Sequence, residues 1–565
     1  MMRQIAKVMA AVEAASNLSP AALAGHVRRR LRNRIVPLGA SAYRAGLERR
    51  AAAFSAFRRD AKAIELAGMV ARCFEAEYRD TIPGCYDGRF DILNRRFDFG
   101  SLDKVDWRFN GDEGDRQIRR ANLAQFGFVP AAALRDPARA LAMAAQLTES
   151  FLATADFSNG SDFSQLWHPY IASRRLLALN SALLITPGEF DGTEAFKAVE
   201  SFVRLNAAFV LGNLETELGF NHLERNLAAL GLFGLARDTF PDAIASALRA
   251  QYQAIVVHSI GEDGVQKERS AMYQGLTVQS LRIFSGLPIW SEDQNAMIKS
   301  RLLATERALA ALTLGDDQPV LFNDGWLGEA PPSSSIVVET PPGFTVMRDA
   351  GYVRLAGRDW VAVLDAGAIG PDENPGHGHP DFLSVEASFA GHRLLVDPGT
   401  FSYSAGSARD ELRAWTAHNG PAFVGPLPVA FLGSFKVGRR AAATIVEAVD
   451  ADGVQEATGQ LAFDRYVVTR SVRLSSDGRL EIADRWAGEG DTQTRFLVPG
   501  DWRIEQQGDE LSLRRDETIL RLRVEGGQIA IGTAKWSRYY DVLEDAHEIV
   551  LRPDGSRLVA IFEPV

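Results

Sequence analysis

Between Asn374 and Tyr403 the chain reads NPGHGHPDFLSVEASFAGHRLLVDPGTFSY, a stretch rich in residues that bind metals or move protons. His377 and His379 sit one residue apart ahead of an apolar strand pattern. A short Ala-Gly-His turn follows at Ala390–His392, and the next apolar run ends in Asp397-Pro398-Gly399. A further polar pair, His418-Asn419, comes soon after. Imidazoles titrate near neutrality, and His and Asp together ligate transition metals. Of the nine histidines in 565 residues, four lie between 377 and 418, so chemistry is expected there first. Three other segments hold polar residues that composition alone does not explain: Trp167–Arg175 (WHPYIASRR), Leu211–Leu227 (LGNLETELGFNHLERNL) and Glu262–Gln274 (EDGVQKERSAMYQ).

The elements that must position these residues fall into two regions of different character. Up to about residue 330, Ala, Leu, Arg and Glu dominate, and apolar positions recur at three- and four-residue spacing, as in Ala195–Leu211 and Leu223–Leu235. Many helices joined by short Gly/Pro/Asp loops imply stacked helical hairpins. Gly325–Ser335 has the Pro/Ser composition of an interdomain linker. Beyond it, Gly343–Ile369, Leu383–Val396, Tyr466–Leu474, Ile519–Val524 and His547–Leu551 are short runs rich in Val, Ile, Phe and Thr, punctuated by Gly, Asp and Asn. They read as antiparallel strands. The expected organisation is an N-terminal helical extension (1–60), a helical domain (61–330) and a β-sandwich-like domain (331–565).

A net charge of −10 argues against general nucleic-acid binding. The local exception, His26–Arg34 (HVRRRLRNR) with Arg44, Arg49 and Arg50, reads first as a solvated helix face and second as a contact for a membrane surface or anionic polymer. Cys73 and Cys85 are too far apart for a CxxC motif, and no run reaches the roughly 18 apolar residues of a transmembrane helix. Ile5–Ala15 is interrupted by Lys7 and Glu13, so it reads as an amphipathic helix and not a secretory signal; a cytoplasmic location is expected on that basis.

The ordered set of motifs resembles the heparinase II/III-type polysaccharide lyases. The resemblance rests on His377-Gly-His379-Pro-Asp381, Asp397-Pro398-Gly399, Tyr403 and His418-Asn419 in the β-half. In the helical half it rests on Asp106-Trp107, the WHPYIASRR segment, Glu215 with Asn221-His222, and Glu268-Arg269-Ser270-Ala271-Met272-Tyr273. It implies an incomplete (α/α) toroid followed by an antiparallel β-sandwich, β-elimination on a uronic-acid-containing polysaccharide or oligosaccharide, and a periplasmic location as the alternative. A homodimer is a further expectation.

Such a lyase must neutralise the uronate carboxylate, remove the C5 proton and protonate the leaving O4 oxygen. By resemblance, Asn221 and His222 neutralise the carboxylate. Tyr273 is the acid, and also the base in a syn elimination, while His377 is the base for the opposite epimer. Arg175, Trp167, Tyr170, Glu215 and Arg269 are expected to contact substrate. No cofactor is expected for catalysis, but a structural zinc or other divalent ion would be held by His379, Asp397 and His418. For these ligands to meet, the Asn374–Pro380 loop must fold back, because a turn near Gly391 pairs Asp397 with a residue around Ser384 or Glu386. No single half holds acid, base and carboxylate-neutralising groups together, so a cleft shared by both is expected.

Plainer readings stand beside these. Asn221 could cap its helix; Tyr273, Trp167 and Tyr170 could be core residues; Glu268 and Arg269 could form a structural ion pair; His392 reads as a surface residue. Gln274, Ala271 and Gln266 depart from the residues frequent in the family, which bears on whether the site is active. Two other functions compete: a glycoside hydrolase using Asp162 and Glu215 as paired carboxylates, and a non-catalytic carbohydrate-binding or scaffold protein of envelope polysaccharide metabolism.

Overall fold

The computed structural model describes residues 18–109, 116–336, 343–508 and 510–565. The helix expected over Ile5–Ala15 lies outside them. The chain forms two compact units: Ser19–Ser259 with Leu276–Leu302, and Ile260–Gly275 with Leu303–Val565.

The first unit is helical. At its centre, helix Pro169–Ile185 is buried along nearly its whole length and packs on helices Ala61–Tyr78, Phe128–Ala133, Glu194–Leu211 and Phe220–Leu235. The helix is enclosed by its neighbours, and its buried residues include Arg174, Arg175 and Asn180 among the leucines and alanines. Its start is set by Pro169 at the first helical position, whose missing N–H costs nothing there. His168, just before it, is extended and does not cap the helix, which leaves its imidazole free for other contacts. Helix Phe220–Leu235 begins after Gly219, whose φ of 64° lies in the left-handed region, so Asn221 is inside the helix and is not its cap. One small hairpin, Arg89–Ile92 with Arg95–Asp98, interrupts a region expected to be wholly helical.

The second unit is built on antiparallel sheets. A five-stranded meander runs Thr345–Met347, Tyr352–Gly357, Trp360–Asp365, Val385–Phe389, His392–Leu395. An eight-stranded sheet extends from edge strand Ala443–Ala451 to edge strand Arg503–Gln507, and a four-stranded sheet contains Thr492–Pro499 and Glu544–Pro553. Their inner faces share one apolar core that includes Trp360, Val385, Leu395, Val468, Phe496 and Phe562. Phe389 pairs with His392 across a two-residue turn, with φ of 50° at Ala390 and 80° at Gly391, the left-handed pair a tight hairpin requires. Gly325–Ser335 is not a loose linker. Trp326 and Leu327 are buried, Gly325 N–H donates to Thr400 Oγ1 at 3.1 Å, and Leu327 N–H donates to the Arg538 carbonyl at 2.7 Å. Cys73 and Cys85 are both free thiols.

Candidate active site and buried histidine cluster

Strands Trp360–Asp365 and Val385–Phe389 are joined by the loop that carries His377, His379 and Asp381, and this loop does fold back. Segment 321–325 holds it there. Asn323 N–H donates to Asp381 Oδ2 (2.8 Å), Asn323 Oδ1 accepts from His379 N–H (2.9 Å), and Asp324 N–H donates to the His377 carbonyl (2.9 Å). A Cβ on Gly378 would lie 1.6 Å from the Ile369 carbonyl oxygen, so only glycine lets the loop close this tightly.

Asp324 is the hub. Its Oδ2 lies 2.9 Å from His377 Nδ1 and 2.8 Å from Arg409 Nη2; its Oδ1 lies 3.0 Å from His379 Nε2 and also pairs with Arg409 Nη1. Burial alone would raise this carboxyl, but Arg409, with His377 and His379, outweighs it and holds Asp324 well below the usual carboxylate range. An ionised carboxylate only accepts, so the facing imidazole nitrogens must be the donors. His377 therefore carries a proton on Nδ1, and its Nε2 points the other way, 3.9 Å from Glu268 Oε1. The Tyr273 ring centroid lies 4.8 Å from that of His377, and its hydroxyl is 3.1 Å from Tyr403 Oη. Burial, then Tyr273 and Asp324, push the Tyr403 phenol well above its ordinary value.

Behind His377 the chain is buried. One ligand-type atom each from His379, Asp397 and His418 come within 4.8 Å of one another. His418 Nδ1 donates to Asp397 Oδ2 at 2.7 Å, and His379 Nε2 donates to Asp324. That leaves His379 Nδ1 and His418 Nε2 buried with no hydrogen-bond partner among the described residues. Two unpartnered ring nitrogens beside Asp397, with the His379 ring oriented by Asp324 and the His418 ring by Asp397 itself, form a zinc-type donor set, so these residues fit a divalent cation. Burial pulls His379 down to about 4. For His418, burial acts downward but Asp397 outweighs it and raises the pKa. Burial, with Asp365 beside it, pushes Asp381 well above the usual range.

In the helical unit, His222 Nδ1 lies 3.1 Å and His168 Nδ1 3.5 Å from Glu215 Oε1. Asn226 Nδ2 donates to Glu215 Oε2 at 3.2 Å, and the Tyr170 ring centroid is 4.8 Å from that of His222. Burial would raise Glu215, but His222 and His168 outweigh it and hold it at about 2. Glu215 is thus enclosed by its own partners and positions His222. Asn221 is buried beside this group, and Tyr170 is half-buried.

Three expected substrate contacts are core residues. Arg175 is fully buried, donating to Asn206 Oδ1 (2.9 Å) and the Ala124 carbonyl (2.9 Å), with its guanidinium 4.4 Å from the Phe151 ring and 4.9 Å from that of Trp167. Trp167 is equally buried, and its Nε1–H donates to the Ala155 carbonyl at 2.7 Å. Arg269 pairs with Asp365, not with Glu268, and donates to the Ala350 carbonyl at 2.7 Å. Asp162 is paired with Arg108, at 2.6 and 2.8 Å, which removes it as a free carboxylate for hydrolysis. Gln274 and Gln266 act as scaffold: Gln274 Nε2 donates to the carbonyls of Gly264 (2.8 Å) and Thr305 (3.0 Å), and Gln266 Nε2 to Glu268 Oε2 (2.6 Å). Asn323, Asp324 and Arg409 went unread in the sequence. The available signal was Asn323-Asp324-Gly325, a polar triplet directly after the apolar run Val320–Phe322.

A helical toroid followed by an antiparallel β domain is the architecture of a class of polysaccharide lyases, and the comparisons narrow it. Residues 339–561 match the family model of the heparinase II/III-like C-terminal domain. No curated protein sequence matches the chain. Among solved structures, a heparinase III is 14% identical, with 82% of this chain and 79% of that one covered at a TM-score of 0.63. A mutant of the heparan sulfate lyase HepC from Pedobacter heparinus is 16% identical over 94% and 88% of the two chains, with a TM-score of 0.55. The β-rich region is thus similar to the heparinase II/III-like C-terminal domain, and the fold is shared with the heparinase III structure. Among the described residues no helix is long and apolar enough to cross a membrane.

Proposed function

We propose that this protein is a polysaccharide lyase that cleaves a uronic-acid-containing glycan by β-elimination. The observation that carries the reading is the Tyr273–His377 pair, rings 4.8 Å apart, with the imidazole oriented by a buried, ionised Asp324. In the elimination the C5–H bond breaks, its electron pair forms the C4=C5 double bond, and the C4–O bond breaks toward O4. His377 Nε2 holds the lone pair that accepts the C5 proton, because Nδ1 is committed to Asp324. Tyr273 donates its phenolic proton to the departing O4; for a syn elimination its phenolate form takes the C5 proton first. Tyr403, hydrogen-bonded to Tyr273, is a positioning residue for that hydroxyl. Asn221 and His222 are assigned the carboxylate, whose neutralisation lowers the barrier to forming the enolate-like intermediate.

A divalent ion, zinc by its donor types, would be held by His379, Asp397 and His418, and when bound would cross-link the loop to the hairpin without entering proton transfer. The proton chemistry needs only residues of this chain.

The reading is tested by incubating a panel of uronate polymers with the protein and with Tyr273→Phe. Wild type is expected to generate ultraviolet-absorbing unsaturated product. The variant should lose about 10²–10⁴-fold in rate, the usual worth of a positioned proton donor, with its melting curve unchanged. New reducing ends without unsaturation would instead indicate a hydrolase; binding with no product would indicate a carbohydrate-binding protein. Near-normal turnover by Tyr273→Phe would return Tyr273 to a packing role.

A further inference from the structure

The arginine-rich N-terminal helices do more than present a solvated face. Helices Pro20–Ile35 and Ala40–Ala52 contribute Arg28, Arg29, Arg32 and Arg50 to a cavity of about 260 Å³ that also contains Tyr43 and Glu217. Gly25 permits the close approach: a Cβ there would lie 2.6 Å from Glu217 Cβ. Arg29 is taken up by acids, with Nε 3.4 Å from Glu217 Oε1 and Nη1 3.8 Å from Glu215 Oε1. Arg32 is held in place by neutral groups, donating to Asn213 Oδ1 at 2.7 Å and Asn33 Oδ1 at 2.7 Å. The side chains of Arg28 and Arg50 have no hydrogen-bond or ion-pair partner among the described residues. Four guanidinium groups therefore converge on one small volume against a single lining carboxylate, in a protein whose net charge is −10.

We propose that this cavity is a subsite for one acidic sugar unit, whose carboxylate or sulfate is received by Arg28, Arg32 and Arg50. Planar guanidinium forks match both anions in a paired, two-bond geometry. The volume is just below the range of about 300–1,000 Å³ usual for small-molecule sites, which suits one sugar and not a longer stretch of polymer. Glu217 supplies an acceptor for sugar hydroxyls, and the Tyr43 ring an apolar wall. Arg29 links the pocket to Glu215, which in turn holds His222, so an occupant would sit one ion pair away from the imidazole assigned to the uronate carboxylate. The choice of a sugar rests on the lyase reading; the preference for an anion does not.

The test uses the full-length protein carrying Tyr273→Phe, titrated calorimetrically with D-glucuronate, D-glucose 6-sulfate and, as neutral control, D-glucose. Arg28→Ala/Arg50→Ala is compared with Arg30→Ala/Arg34→Ala, which removes the same charge from residues that do not line the cavity. Either acid should bind in preference to glucose, and binding should weaken about tenfold or more in the pocket variant alone, as loss of charge-assisted hydrogen bonds predicts. Equal weakening in both variants, or no preference for acid over glucose, would overturn the proposal. So would loss of binding to anionic phosphatidylglycerol vesicles in the pocket variant with sugar affinity unchanged. Acid binding that depends on Arg28 and Arg50, in a protein that makes no unsaturated product from any uronate polymer, would sink the lyase reading and leave the anion site standing.

Discussion

Among the described residues are two His–carboxylate–His groups, one centred on Glu215 and one on Asp397, and their surroundings differ sharply. In the helical unit, the side chains of His168, Glu215 and His222 are 30%, 1% and 24% exposed, with Glu215 alone enclosed. In the β-unit those of His379, Asp397 and His418 are 1%, 0% and 1% exposed. The decisive difference is in hydrogen-bond accounting. Around Glu215 both Nδ1 atoms turn toward one carboxylate oxygen and Arg29 stands 3.8 Å from it, so the negative charge is already answered by protein cations and donors. Around Asp397 each histidine gives an N–H to a carboxylate, and its other ring nitrogen is buried with no hydrogen-bond partner among the described residues. Ligand count and spacing are alike in the two groups; what differs is that the β-unit's trio has a ring nitrogen on each histidine left over after its carboxylate bond, which is the feature a bound ion would require.

The largest expected effect separates the two groups directly. His379→Ala should abolish bound metal and cost up to about 3 kcal/mol through the lost hydrogen bond to the Asp324 carboxylate, with loss of the ion adding to this. His168→Ala should leave metal content at the wild-type value. Elemental analysis after metal-replete expression, with melting curves, decides it. Equal metal loss from both variants would erase the distinction. Next in size, Asp324→Asn should cost about 3 kcal/mol or more, since Arg409 is left buried without its carboxylate. Turnover should fall as far as in His377→Ala, because His377 loses the acceptor that fixes its tautomer. If Asp324→Asn kept full turnover on an established substrate, His377 would not be the base.

Asp324 also shows where the sequence stopped being legible. Its partners lie 53, 55 and 85 residues away, and no local pattern reports a contact at that distance. The elements around it were easier to read. Strand Tyr466–Leu474 matches its expected bounds, since alternate side chains enter the core, and the turn at Ala390-Gly391 follows from backbone chemistry. Edge strand Ala443–Ala451 went unnoticed because little of it is buried, so no alternation was imposed on its side chains. Arg175 misled for the opposite reason. Its charge suggested a ligand contact, whereas a guanidinium between aromatic faces and capped by carbonyls is a stable interior arrangement. The two trios were visible as residue types, and what their nitrogens do was not.

A smaller effect concerns the acid side of the helical trio. Glu215 ionises at about 2 in the folded protein against 4.5 when free, so its carboxylate stabilises the fold fully above pH 4.5, and this contribution is lost as pH falls toward 2. His168, drawn down by burial to about 4 from 6.5, acts in the same direction, favouring the fold most above pH 6.5 and less as pH falls through 4. Glu215→Gln should therefore be less stable than wild type at neutral pH by at most about 3 kcal/mol, with the two melting curves converging as pH is lowered from 4.5 toward 2. A gap independent of pH would mean that shape, and not charge, is what Glu215 contributes.

The smallest effect asks whether the ion or the hairpin turn fixes Asp397. Ala390 is exposed, with a φ of 50°, a region where an alanine is strained and an asparagine far less so, and Asn-Gly is the preferred pair for this turn. Ala390→Asn should stabilise the protein by up to about 1 kcal/mol. Ala390 touches neither His379 nor His418 through any hydrogen bond, since its N–H donates to the Asp359 carbonyl at 2.9 Å. Independent sites contribute additively, so the gain should be the same in metal-replete and metal-stripped protein. A larger gain after chelation would show that turn and ion restrain the same motion of strand His392–Leu395, and that the β-unit's trio is assembled by its hairpin before any metal arrives.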